Sequence, residues 1–148
     1  MRFAFLSPYH SIVLSIVRIG VGLLFMQHGA QKLFGWFGGM GGPGQTVELF
    51  SQFGLAGVLE LVGGALIVLG LFTRITAFLL SGEMLVAFLQ AHLPQGGVPM
   101  ENGGELALLY SAIFLYFVAA GPGRWSVDAM LGWDDDKVRE YESARVRK

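Results

Sequence analysis

Apolar residues in this chain come in long unbroken runs, separated by short polar or glycine-rich breaks. Tyr9 to Phe34, Leu55 to Phe72, Ile75 to His92 and Glu105 to Ala120 each read as a helix, and about 20 predominantly apolar residues suffice to cross a bilayer in that form. The pattern predicts an all-α membrane protein, a four-transmembrane-helix bundle with helices at about 9–34, 55–72, 75–92 and 105–120.

The polar interruptions within the runs are few and regularly placed. The second run, LAGVLELVGGALIVLGLF, is apolar except for Glu60. A carboxylate near the middle of a spanning helix costs roughly 2.5–3.5 kcal/mol on insertion-based scales, so Glu60 is expected to face protein or water and to have a partner on another helix. Gly57, Gly63 and Gly64 lie three or four residues from it and share its face, where a neighbouring backbone can come close. In the first run Arg18, Gly22, Phe25, Gly29 and Lys32 alternate at spacings of four and three and form one stripe, with His28 beside it. This stripe is the face expected to meet Glu60. In the third run Thr76, Glu83 and Gln90 recur every seven residues and lie on one face.

The breaks are equally legible. Ser7-Pro8 reads as a cap opening the first helix. The segment GWFGGMGGPG (35–44) is too glycine-rich to hold a helix, and Trp36 and Phe37 suit a membrane interface. Val47, Phe50 and Phe53, spaced by three, predict a short interfacial helix in this first outer loop. Thr73-Arg74 reads as a tight turn, 93–104 as a loop, and Gly121-Pro122-Gly123 as a helix stop. Residues 1–131 therefore form the transmembrane domain, and 132–148 a polar cytoplasmic tail that Trp125 and Trp133 can anchor.

Composition sharpens the class. Hydrophobic residues make up 53% of the 148 and charged ones 14%, with a net charge of −1. Apolar runs of this length exceed what a small soluble globule can enclose, and no basic stripe offers itself to nucleic acid. The chain has no cysteine, which removes disulfides, thiol redox chemistry and thiolate metal sites. Four spans bring both termini to one side. Arg2, Arg74, Arg124, Lys137, Arg139, Arg145, Arg147 and Lys148 fall there, against Lys32 on the other side, so both termini are expected in the cytoplasm and the chain in the cytoplasmic (inner) membrane.

Two sets of polar groups are expected inside the bundle. Arg18 and Glu83 can pair in the inner half; Glu60, His28, Gln90, Lys32, His92 and Glu105 can meet in the outer half. The partner of Arg18 stays open. One reading is an ion-pair network that only fixes helix packing. The other is a polar pocket open from the outer leaflet, in which Glu60 and His28 exchange protons with a lipid-soluble substrate, Arg18 anchors it by charge, and Glu83 and Gln90 complete the network. Lys32 by itself reads as an anchor snorkelling to the interface. The histidines and acids show no metal-ligand spacing, and no metal site is expected. Phe25, Phe78, Phe88 and Phe114 line either an aromatic pocket or an ordinary membrane core, and Tyr110 and Tyr116 read as packing or belt residues.

Taken with Arg18, the strings HGAQKLFGWFGG (28–39), ELVGGALIVLGLFTR (60–74), GEMLVA (82–87), ENGGELALLY (101–110) and GPGRWSVDAML (121–131) resemble the DoxX family of small bacterial membrane proteins. The resemblance runs from about Ile12 to Leu131. It marks Arg18, His28, Lys32, Glu60, Arg74, Glu83, Asn102 and Glu105 as family-typical positions without assigning them catalytic roles. It implies similarity to the small membrane subunit of thiosulfate:quinone oxidoreductases. The chain has no haem, flavin or iron–sulfur motif, so electrons would come from a redox partner protein. The resulting expectation is a membrane subunit that binds a quinone-like or other lipophilic redox molecule and assists proton-coupled redox chemistry, with no covalently bound cofactor. A structural or assembly scaffold and a small oligomeric transporter are the alternatives, and the glycine-rich faces also suit a homodimer.

Overall fold

The computed structural model of the chain describes residues 8–133, so Ser7 and all of the polar tail from 134 onward lie outside the described residues. Helix α1 spans His10–Phe34 and stops where Gly35 turns left-handed at φ 67°. Helix α2 spans Gln52–Leu69 and ends at Gly70, also left-handed at φ 66°. Helix α3 covers Thr73–Gln95, α4 covers Glu105–Ala120, and a short helix α5 covers Val127–Met130. Among the described residues there is no strand. Helices α1, α2 and α3 are long and apolar enough to cross a membrane. Helix α4 is as apolar but has only 16 residues, a length of roughly 24 Å.

Two boundaries differ from the sequence expectation for identifiable reasons. No separate interfacial helix forms over 47–53: residues 45–48 are irregular, 49–51 turn, and Gln52 already belongs to α2. The Ser51 hydroxyl accepts the Gly54 N–H at 3.1 Å and caps α2 there, while Val47 N–H donates to the Lys32 carbonyl at 2.9 Å and draws the segment back along α1. The turn expected at Thr73-Arg74 lies slightly earlier, at Gly70 to Phe72, because Thr73 opens α3. The outer loop keeps one short 3-10 turn at Trp36–Gly38.

The predicted stripe of α1 is buried: Arg18, Gly22, Phe25 and Gly29 all face inward, and Lys32 is largely covered. Gly29 sets the spacing to α2, since a Cβ there would lie 2.5 Å from the Leu61 backbone nitrogen. Gly22 does the same about two turns away, where a Cβ would lie 2.9 Å from the Gly64 carbonyl oxygen. Such contact replaces the hydrophobic drive that lipid does not supply between helices. Phe25, Ile67, Ala77, Leu80, Phe114 and Phe117 fill the centre of the bundle. The outward faces are equally apolar, with Ile75, Phe78, Leu79, Leu109 and Leu115 exposed. A surface of that kind suits acyl chains as its solvent.

At the end of the bundle where α2 and α4 finish and α3 starts, charged side chains satisfy the open backbone groups of the helices. Arg18 is fully buried and donates to the carbonyls of Ile67 and Val68 at the end of α2, and to those of Pro122 and Trp125 in the segment after α4. Arg74 donates to the Val118 and Ala119 carbonyls at the end of α4. Asp128, from α5, accepts the Phe72 and Thr73 N–H groups, each at 2.8 Å, at the start of α3. Cations therefore sit at helix C-termini and an anion at an N-terminus, the sense the helix dipole favours.

Candidate functional site

In the opposite half of the bundle, α1 and α2 bring together the two charges that the sequence places on facing stripes. The Lys32 ammonium lies 2.6 Å from both carboxylate oxygens of Glu60. The pair is buried, with 15% of the Lys32 side chain exposed and 4% of that of Glu60. Lys32 is therefore paired with an acid inside the bundle, one of the two places the sequence offered it, the other being an interfacial anchor. Glu60 lies inside a π-helical turn, Leu59–Gly63, that interrupts α2. A π turn re-aims the side chains around it and is common at functional sites.

Glu83 joins this pair from α3. It lies within electrostatic reach of Glu60 and Lys32, and both of its carboxyl oxygens are buried without a hydrogen-bond partner among the described residues. The cluster thus sets two carboxyls against one ammonium within the bundle. The pairing of Arg18 with Glu83 expected from depth does not occur. Arg18 has turned to backbone carbonyls, and Asp128 is the acid within electrostatic reach of its guanidinium among the described residues. A guanidinium offers several N–H donors in a fixed fork, which the four carbonyls from the end of α2 and the segment after α4 match better than one carboxylate does.

His28 and Tyr110 lie next to the cluster. Their rings meet edge to face at 5.8 Å, His28 within electrostatic reach of Lys32 and Tyr110 within reach of Glu60. Phe25 closes the inner side, 5.0 Å from the Tyr110 ring and 4.8 Å from that of Phe114. The aromatic residues Phe25 and Phe114 are thus core, Phe88 is buried, and Phe78 faces outward.

The remaining candidates lie elsewhere. Gln90 is exposed and accepts a hydrogen bond from Gln52, tying α3 to the start of α2. His92 stacks on Phe88, and its Nδ1 lies 3.0 Å from the Asn102 carbonyl oxygen. Asn102 is buried, donating to the Gly96 carbonyl at 2.6 Å and accepting the Gly104 N–H at 2.8 Å, and so pins the loop before α4. Glu105 is exposed in the first turn of α4. Among the described residues, no three histidines or acids gather as metal ligands would.

Sequence reasoning missed Asp128, Gln27 and Gln31. Asp128 follows Ser126, which caps α5 by accepting the Ala129 N–H at 3.1 Å. The Ser-x-Asp string after a glycine-proline stop was the available signal. The two glutamines flank His28 on α1 and line a groove of about 420 Å³ between α1 and α4. Polar side chains within an apolar run were again the clue.

Comparison with known proteins agrees with this architecture. Residues 13–93 match the DoxX family. The chain is 43% identical over 130 residues to an uncharacterized protein of Haemophilus influenzae, an alignment covering 83% of this chain and 93% of that one. It is 36% identical over 134 residues to an uncharacterized membrane protein of Mycobacterium tuberculosis, covering 78% of each. No solved structure matches. With α2 and nearly all of α1 and α3 inside the matched segment, and with them every member of the Lys32, Glu60 and Glu83 cluster, this chain belongs to the DoxX family of membrane proteins.

Proposed function

We propose that the chain is a membrane subunit that binds a quinone-like lipophilic redox molecule beside the Lys32–Glu60–Glu83 cluster and helps it exchange protons while a partner protein supplies or takes electrons. The observation that carries this reading is Glu83, whose buried carboxyl oxygens lack a partner next to an ion pair that already satisfies itself. An unsatisfied buried acid costs free energy, so it persists where a proton or a ligand completes it. Glu60 and His28 are the proton-handling groups in this reading, and Lys32 and Glu83 complete the network. Arg18 and Asn102 drop out of it, because both bind backbone.

The reading is tested with purified protein in lipid nanodiscs, by titrating a ubiquinone or menaquinone analogue. Glu60→Gln and His28→Ala are expected to weaken binding and any quinone-dependent activity. Both left unchanged would overturn it. The scaffold alternative is favoured by the four polar residues engaged with backbone, Arg18, Arg74, Asn102 and Asp128. Under it, Glu60→Gln lowers stability and the wild-type protein binds no quinone.

The membrane arrangement proposed with this function has four spans in the cytoplasmic membrane and both ends inside. Support comes from Arg74 and Arg124, which sit at the end shared by the start of α1 and the close of α4, with Lys32 toward the other. The absence of native cysteine makes the test direct. A cysteine at Met40 should react with an impermeant maleimide from outside intact cells, and one at Arg124 only after permeabilisation.

A further inference from the structure

Helices α1 and α4 touch at Phe25, Tyr110 and Phe114 and separate above that contact, leaving the groove of about 420 Å³. Its walls are mixed. Leu24 and Leu106 are exposed and apolar, while Gln27, His28 and Gln31 from α1 and Tyr110 from α4 add polar groups. Phe37 completes the lining from the outer loop. We infer that this groove is the lateral entrance and ring-binding site for the lipophilic ligand, which enters from the outer leaflet between α1 and α4 and is recognised by Gln27, His28 and Tyr110 under Phe37. The inference rests on the reading of the protein as a binder of a quinone-like molecule.

Three observations support it. First, the Gln27 carboxamide, the His28 ring nitrogens and the Tyr110 hydroxyl have no hydrogen-bond partner among the described residues. Acyl chains cannot provide one, so a ligand that carries hydrogen-bonding oxygens on its ring fits these groups where a hydrocarbon tail does not. Second, the exposed Phe37 sits on an uncommon backbone conformation. Among the described residues it is one of two non-glycine residues with positive φ, at 54°, between Gly35 and Gly38, and the Gln31 amide donates to the Gly39 carbonyl at 3.2 Å, tying this loop to α1. A left-handed phenylalanine is strained, and strain of this kind gathers at ligand clamps. Third, the volume lies within the range of small-molecule sites, and the chemistry is that of a flat ring: aromatic edges around it, polar groups at its rim, leucines leading out to lipid. The inner end of the groove abuts the cluster, since Tyr110 and His28 belong to both.

A photoreactive azido-quinone in nanodiscs of phosphatidylcholine and phosphatidylglycerol tests the site, with labelled residues mapped by mass spectrometry. Label is expected on residues 24–31, 37 and 106–110. Gln27→Leu, Tyr110→Phe and Phe37→Ala are each expected to weaken binding about tenfold with an unchanged thermal midpoint, whereas Leu79→Ala, on the far lipid face, leaves binding as it was. Wild-type binding with label elsewhere, unmoved by these variants, overturns the entrance and leaves the proposed function standing. Absence of wild-type binding overturns both. Label in the groove that excess phospholipid displaces as well as excess quinone does marks a lipid groove only and overturns the entrance.

Discussion

Lys32 and Glu60 meet across the tightest crossing in the bundle, with both carboxylate oxygens 2.6 Å from the ammonium and Gly29 and Gly57 drawing the two helices together beside them. The glycines and the ion pair depend on each other. Backbones held further apart would leave the lysine short of the acid, and an unpaired acid would favour separation.

Removing one member of the pair therefore leaves a buried charge without its partner. Lys32→Met is expected to destabilise the protein by about 3–5 kcal/mol, and the double variant Lys32→Met with Glu60→Leu to recover most of that. Thermal midpoints in detergent read the difference. A double-variant loss equal to the sum of the Lys32→Met and Glu60→Leu losses would show that the two residues are not coupled.

Glycine substitutions separate close approach from helix propensity. At Gly29 a Cβ would meet the Leu61 nitrogen at 2.5 Å, whereas at Gly20 nothing lies within 4 Å. Gly29→Ala should lower the thermal midpoint strongly or abolish folding. Gly20→Ala should leave it unchanged or raise it, alanine being favoured over glycine in a helix by about 0.5–1 kcal/mol.

The capped end of the bundle gives a second pair of outcomes. Asp128→Ala removes the acceptor for the Phe72 and Thr73 N–H groups and should cost about 0.5–2 kcal/mol, with Asp128→Asn in between because its amide oxygen still accepts. Neither change should affect quinone binding, since Asp128 lies at the opposite end from the cluster. A loss of binding at full stability would contradict that separation.

Arg18→Lys tests whether the fork geometry matters. An ammonium cannot replace a guanidinium that reaches the carbonyls of Ile67, Val68, Pro122 and Trp125 together. The substitution should lower the thermal midpoint markedly although the charge is kept. A stable Arg18→Lys protein would mean that charge alone holds this end.

Run length and periodicity are local properties, and they determined much of this protein. Four apolar stretches fixed the helical membrane class and the approximate bounds of every long helix, and the spacing of Arg18, Gly22, Phe25, Gly29 and Lys32 fixed the buried face of α1. Glycine and serine chemistry also set the ends, at Gly35, Ser51 and Gly70, although serine at 51 outweighed the apolar spacing that suggested a separate helix. Partner choice was decided only in three dimensions. Which acid Lys32 meets depends on the rotation of α2, on the π turn at Leu59–Gly63 and on the close passage at Gly29, and no single stretch of sequence encodes their sum. The same holds for Arg18. Depth along the helix allowed it to reach Glu83, but the carbonyls at the end of α2 and after α4 were brought to it by the tertiary fold, and a buried guanidinium pairs with the acceptors that packing delivers.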